Sequence, residues 1–305
     1  MSGSLLFLQV LNGLQFGLIL FLITAGLTLI FGVMDLVNLA HGVQYMLGAY
    51  FAATFVALTG SFFIGAAIVL PAALIFGLLL EFLVFRHLYG RSHLDQVLAT
   101  FGVVLVLSEG AKVVWGAAPL NVPVPELLSG SIEVAGGVSY PVYRLLIIGA
   151  GLAVAVGLFA LINYTKAGML IRAGAADGEM VASLGVNIKR LFKLVFAIGA
   201  MLAGFAGALM APILNVDPSM GDNVLILAFV VIVIGGTGSI RGAFVAALLV
   251  GLVDTVGRFV APSVLRLVLE PALASQTGRA LSPMLIYVLM AAVLFWRPAG
   301  LFSAR

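Results

Sequence analysis

The chain has 305 residues, of which 63% are hydrophobic and only 9% charged, with a formal net charge of +3 and no cysteine. Soluble domains carry about a quarter charged residues, so an ordinary water-soluble fold is excluded. The small positive charge is spread among loops, where it reports topology and not nucleic-acid binding, and the absence of cysteine excludes disulfides and thiolate metal sites.

Hydrocarbon must therefore solvate most of the chain, and in hydrocarbon only helices or closed barrels satisfy the backbone. Continuous apolar runs, without strict alternation, select helices. The expected fold class is all-α: a polytopic integral membrane protein with about eight to nine transmembrane helices, some of them discontinuous.

The start, MSGSLLFLQVLNG, has no basic n-region and runs on past the length of a signal-peptide core, so it reads as a retained span from about Leu5 to Val33. In the following DLVNLAHGVQYMLGAY, Asp35, Asn38, His41 and Gln44 recur three residues apart and would share one side of a helix. Polar groups at membrane depth are costly unless they face protein or water. For His41, beside Gly42, the plainer reading is a packed, hydrogen-bonded structural histidine. A second span continues to about Leu58, and a third runs from Phe62 to Phe85 with Pro71 inside it and Glu81 near its end. Arg86, His87, Arg91 and His93 make a short basic loop, cytoplasmic by the positive-inside rule.

The fourth span covers about Gln96 to Trp115, with Glu109 and Lys112 spaced to pair. Gly116 to Tyr140 holds Pro119, Pro123, Pro125, Gly130, Gly136 and Gly137, which predicts an irregular loop. Its charges are Glu126 and Glu133 with no Lys or Arg, which places it outside. A fifth span from about Val142 to Tyr164 leads to KAGMLIRAGAADGEMVASLGVNIKRLFK, the longest polar interval in the chain. Lys166, Arg172, Lys189, Arg190 and Lys193 put this stretch in the cytoplasm, with Asp177 and Glu179 adding acid in the middle. It is either a handle through which a partner outside the bilayer moves the spans, or an ordinary solvated loop.

A sixth span from about Leu194 to Leu214 carries Ala200, Gly204 and Ala208 four apart, a face for close helix approach. After an outer turn with Asp217, Pro218 and Asp222 comes a seventh run, Val224 to Ile234, then GGTGSIRG, then an eighth run to about Val256. Gly235 and Gly236 mark a helix break or hinge, and Gly238, Gly242 and Ala246 a small-residue packing face. The GxG here is not a dinucleotide turn, because Arg241 occupies the last fingerprint position and Asp254 is explained as the i+4 partner of Arg258. Gly257 to Leu281 holds Arg258, Arg266 and Arg279 against Glu270, which conflicts with the outer location that alternation requires; part of it reads as an interfacial amphipathic helix. The last span, about Pro283 to Phe295, ends in WRPAGLFSAR, giving an outer N-terminus and an inner C-terminus.

Catalytic constellations are absent: no HExxH, no GxSxG, and only three histidines. Lysine never follows glycine, so there is no Walker A loop, and any ATP that drives this chain binds another subunit.

Read in order, LTLIFGVMDLVNLAHGVQYMLGAY, EFLVFR with Glu81 and Arg86, LATFG at Leu98 to Gly102, RAGAADGEMVASLGVN, GGTGSIRGAF and RPAGLF resemble permease subunits of branched-chain amino-acid ABC importers of the LivH type. The resemblance covers essentially the whole chain; the GAADG at Gly174 to Gly178 and the Arg258 to Arg279 insertion depart from it. It implies a single permease domain, 1–305, in the bacterial inner membrane, with 165–193 as a cytoplasmic coupling loop. The implied partners are a second permease subunit (LivM-like), two cytoplasmic ATPase subunits, a periplasmic substrate-binding protein and membrane lipid. No cofactor is implied on this chain, ATP and Mg being bound by the partner subunits. The resemblance puts ATPase coupling on Arg172, Ala173, Gly174, Ala175, Asp177, Glu179 and Gly185, and makes Asn38, His41 and Gln44 residues of the translocation path. Its cargo would be branched-chain amino acids or related amino acids, amides or urea. The rival reading is an ion-coupled secondary transporter or channel, which needs coupling-ion ligands on broken helices at the midplane, whereas Asp35, Glu81 and Asp254 lie near span ends.

Overall fold

The computed structural model describes residues 3–134 and 137–302. Ala135 and Gly136 of the expected outer loop, Met1 and Ser2 ahead of the first span, and the SAR that closes the sequence lie outside the described residues. The chain forms helices α1 (Gly3–Met34), α2 (His41–Thr59), α3 (Phe62–Leu83), α4 (His93–Trp115), α5 (Val142–Tyr164), α6 (Lys166–Ala176), α7 (Gly178–Ser183), α8 (Ile188–Met210), α9 (Met220–Gly235), α10 (Ile240–Leu265), α11 (Pro271–Leu281) and α12 (Met284–Trp296). Strands β1 (Ser131–Val134) and β2 (Val138–Pro141) form one antiparallel hairpin, in which Ser131 pairs Pro141 and Val134 pairs Val138. Among the described residues, seven helices are long and apolar enough to cross a membrane, or eight when α11 and α12, bent by 51°, count as one broken span. At 16 residues α9 falls short of the roughly 20 that a full crossing needs. The protein is an all-α, multi-pass membrane protein.

The chain divides into two compact units. One comprises Leu22–Pro125 and Ala153–Ala228; the other comprises Met1–Phe21, Glu126–Leu152 and Phe229–Arg305. In the first unit α3 and α2 both pack on α8, and glycines set the approach. A Cβ on Gly48 of α2 would lie 2.1 Å from the carbonyl oxygen of Gly204 in α8, and one on Gly207 would lie 2.0 Å from that of Tyr45. This is the small-residue contact expected of Gly204, and it brings backbone to backbone. Phe85 stacks on Phe196 at 4.4 Å, and Trp115 lies 4.9 Å from the Tyr50 ring and donates to Thr54 Oγ1 at 2.8 Å. In the second unit, the same device joins Gly13 and Gly17 of α1 to the α10 backbone at Leu252 and Leu248. Asp254 is buried and accepts from Arg258 through both carboxylate oxygens, the i+4 pair expected from the sequence.

Side chains cap five helix starts: Ser92 before α4, Thr165 before α6, Asp177 before α7, Asn187 before α8 and Ser239 before α10. All five fall where charge placed the connecting segments in the cytoplasm. On the side assigned as outer, Leu120 and Val216 exchange both backbone hydrogen bonds at 2.9 Å, tying the loop after α4 to the turn after α8.

Four elements differ from expectation. Asp35 to Ala40 is not helical, so the polar series from Asp35 to Gln44 does not share one helix: only His41 and Gln44 lie on α2. Helix α8 begins at Ile188 and takes in Lys189, Arg190 and Lys193, because the Asn187 cap starts it before the apolar run begins. Helix α10 continues through Pro262 to Leu265. The loop after α4 contains the β1–β2 hairpin, hidden from sequence by its proline and glycine density.

Candidate functional site

The polar stretch between α5 and α8 folds as a helical pair. Thr165 caps α6 by accepting from the Gly168 amide at 3.0 Å, and Asp177 ends α6 and caps α7, accepting from Met180 at 2.9 Å. Arg172 donates to the Ile162 carbonyl and so binds α6 back to the end of α5. Gly168, Ile171 and Gly174 are buried along one face of α6, and Val181 is buried on α7. A Cβ on Gly174 would meet Leu191 of α8 at 2.8 Å, so its small size serves contact within the chain. The surface left open is formed by Arg172, Ala175, Asp177 and Glu179, with Ala173 half-buried. Gly185, at φ +88, makes the turn that returns the chain to α8. Met169, Met180 and Leu184 are exposed on the same pair, which leaves apolar side chains beside an acidic one in a segment outside the spans.

The second constellation surrounds the break after α1. Asp35 adopts a left-handed conformation (φ 50) at the end of α1 and stands 3.7 Å from His93, and the chain runs without helix through a turn at Leu39 and Ala40 before α2 starts at His41. Burial alternates along it: Leu36, Asn38 and Ala40 are buried, while Val37 and Leu39 are half-exposed. The Nε2 of His41 pairs with the Ile23 carbonyl at 2.9 Å, which bears out a hydrogen-bonded, packed histidine. Both polar atoms of Asn38, both of Gln44, the Nδ1 of His41, the Thr28 hydroxyl and the Tyr50 hydroxyl are buried and make no hydrogen bond among the described residues. Unsatisfied buried groups cost about 1–3 kcal/mol each.

Sequence reasoning did not single out three residues here. Gln96 of α4, 2% exposed, accepts from the Val37 amide at 3.1 Å and donates to the Leu88 and Arg91 carbonyls. Thr100, fully buried in the LATFG motif, accepts from the Leu39 amide at 3.3 Å. Arg144, the one basic residue in the apolar run of α5, donates to Asn12 at 2.7 Å and Gln15 at 3.4 Å. Its signal was a charge in the first turn of a span; Gln96 and Thr100 had only their i, i+4 spacing. Nearby, Glu81 is buried and accepts from the Tyr89 hydroxyl at 3.1 Å, and the Tyr89 ring meets Phe192 edge-on at 5.1 Å. Burial, the Glu81 charge and that hydrogen bond hold the Tyr89 phenol above its ordinary pKa, so it stays a neutral donor.

The glycine break is a tight turn between α9 and α10. Gly236 and Gly238 take positive φ (97° and 78°), and a Cβ on Gly242 would lie 2.0 Å from the Gly235 carbonyl oxygen. The closing RPAGLF completes it: the Leu301 amide donates to Ile234 at 2.8 Å and the Phe302 amide to Gly235 at 3.0 Å, satisfying carbonyls at the end of α9.

Among the described residues no group of three His, Cys, Asp or Glu could hold a metal ion. Buried polar side chains among glycine-packed spans, with a capped helical pair outside them, define a transporter-type membrane protein. The chain belongs to the family described as "Branched-chain amino acid transport system / permease component", which matches residues 9–294. It is 30% identical over 313 residues to the "High-affinity branched-chain amino acid transport system permease protein BraD" of Pseudomonas aeruginosa, covering 97% of this chain and 95% of that one. It is 29% and 28% identical over 264 residues to the LivH permease proteins of Salmonella typhimurium and Escherichia coli, covering 81% of this chain and 84% of each relative. No solved structure matches it significantly.

Proposed function

We propose that this chain is the translocating subunit of an ATP-driven importer of the bacterial inner membrane, with branched-chain amino acids as cargo. It pairs with a second permease, two cytoplasmic ATPases that bind ATP and Mg, and a periplasmic binding protein, and is itself non-catalytic. The observation that carries the reading is the α6–α7 pair: its inner face is locked on α8 through Gly174 and Leu191, and its outer face leaves Met169, Met180, Leu184 and Glu179 open. A partner gripping that outer face moves α8, and with α8 the α2 and α3 helices that pack on it. Nucleotide binding in the partner then shifts a population between inward-open and outward-open states. The unsatisfied groups of Asn38, His41 and Gln44 give a polar cargo hydrogen-bonding partners along the way.

The test is purification of the tagged protein from its native membrane in mild detergent, with identification of co-purifying chains and assay of ATP hydrolysis and leucine uptake after reconstitution. Recovery with an ATPase and a second permease, and uptake that requires ATP, is the expected result. Recovery of this chain alone, with uptake that follows an ion gradient and ignores ATP, overturns it in favour of a secondary transporter.

A further inference from the structure

The non-helical segment between α1 and α2 makes polar contacts with one face of α4. Its odd-numbered residues, Asp35, Val37 and Leu39, meet His93, Gln96 and Thr100 in register. Residues 93, 96 and 100 are three and four apart and share a helix face. The two contacts that bind backbone amides are the buried ones, since Gln96 is 2% exposed and Thr100 fully buried, whereas the Asp35–His93 pair is exposed on both sides. Because burial alternates along the segment, fixing the amides of 37 and 39 sets the direction of the buried even-numbered set, in which Asn38 is the polar member.

We infer that Gln96 and Thr100 are positioning residues for translocation: they hold the unwound segment in the one register that keeps Asn38 buried beside His41 and Gln44. Gln96 does more than anchor one amide. Its Nε2 also donates to Leu88 and Arg91 in the loop after α3, the loop whose Tyr89 rests on Phe192 at the start of α8. The same side chain thus contacts the segment that presents Asn38 and a loop that touches the helix on which α6 and α7 pack. This deepens the proposed importer function and rests on it for its transport readout.

Two measurements test it on the whole protein, with Gln96→Ala, Thr100→Val and the conservative Thr100→Ser. The first is hydrogen exchange of the peptide spanning residues 35–40, which needs no transport. Loss of one hydrogen bond should speed exchange of the Val37 or Leu39 amide by about five- to tenfold, with Thr100→Ser near the parent and peptides of α8 unchanged. The second is amino acid moved per ATP hydrolysed in the reconstituted importer. That ratio should fall about fivefold or more in Gln96→Ala and Thr100→Val and recover in Thr100→Ser, while the hydrolysis rate changes less than twofold. A ratio that stays at the parent value although exchange has risen overturns the positioning role, as does an equal fall in hydrolysis and uptake. Unchanged exchange removes its structural basis. If the parent carries no amino acid at all, the importer reading fails while the exchange arm still reports on the segment.

Discussion

Replacing Gly48 by alanine should loosen the α2–α8 contact, and Gly102→Ala supplies the reference. An alanine Cβ at Gly48 would sit 2.1 Å from the Gly204 oxygen and 2.3 Å from its Cα, whereas at Gly102, in the middle of α4, it meets nothing within 4 Å. Both are glycines in long helices, so the intrinsic gain of about 1 kcal/mol from Gly to Ala is common to the two and cancels in the comparison. Ordinary carbon contacts lie at about 3.5 Å, so the Gly48 variant must open the interface by roughly 1.3 Å. The atoms in the way are backbone, which cannot rotate aside, and overpacking of that kind costs about 1–3 kcal/mol. Unfolding by SDS in mixed micelles, followed by fluorescence, reads the difference; Trp115 lies against Tyr50 on the same helix and reports locally. Equal midpoints for the two variants would refute the backbone-to-backbone approach.

Three further outcomes follow from contacts described above. Arg258→Leu leaves the buried Asp254 carboxylate without its bidentate partner and should cost about 2–3 kcal/mol, whereas the double variant with Asp254→Leu should recover most of that in the same SDS titration. Glu179→Lys, on the exposed face of α7, should leave the subunit in the membrane but cut ATP-dependent uptake severalfold; normal uptake would remove α6–α7 as the coupling element. Alanine at Asn38, His41 and Gln44 together should lower uptake at least tenfold with the protein still membrane-inserted, and unchanged uptake would reduce that cluster to packing.

The spans were legible because membrane solvation writes long, continuous apolar runs: the fifth span was placed at Val142 and Tyr164, and the helix has those bounds. The Asp254–Arg258 and Glu109–Lys112 pairs were equally readable, since helix geometry alone fixes which neighbours meet. Where reading failed, a tertiary contact decided. Asp35 to Gln44 has the period of a helix, yet Gln96 and Thr100, from about sixty residues on, take the amides of 37 and 39 and hold the chain out of the helix as far as Ala40. Gly174 showed its small size but not its direction, because only the fold puts Leu191 above it. The family was legible from the order of motifs, yet the same motifs gave no role for LATFG or RPAGLF until Thr100 and Leu301 were seen to hold distant backbone.

That last contact bears on the order in which the molecule is completed. The carbonyls of Ile234 and Gly235 wait for donors that the ribosome adds only after α10, α11 and α12. Until Leu301 and Phe302 emerge, the short helix α9 ends in open acceptors and has reason to linger at the wet edge of the bilayer. Seating α9 thus waits on α10, α11 and α12, and a translation stall shortly before Leu301 should strand a subunit in which those helices are present but the seam is still unfastened.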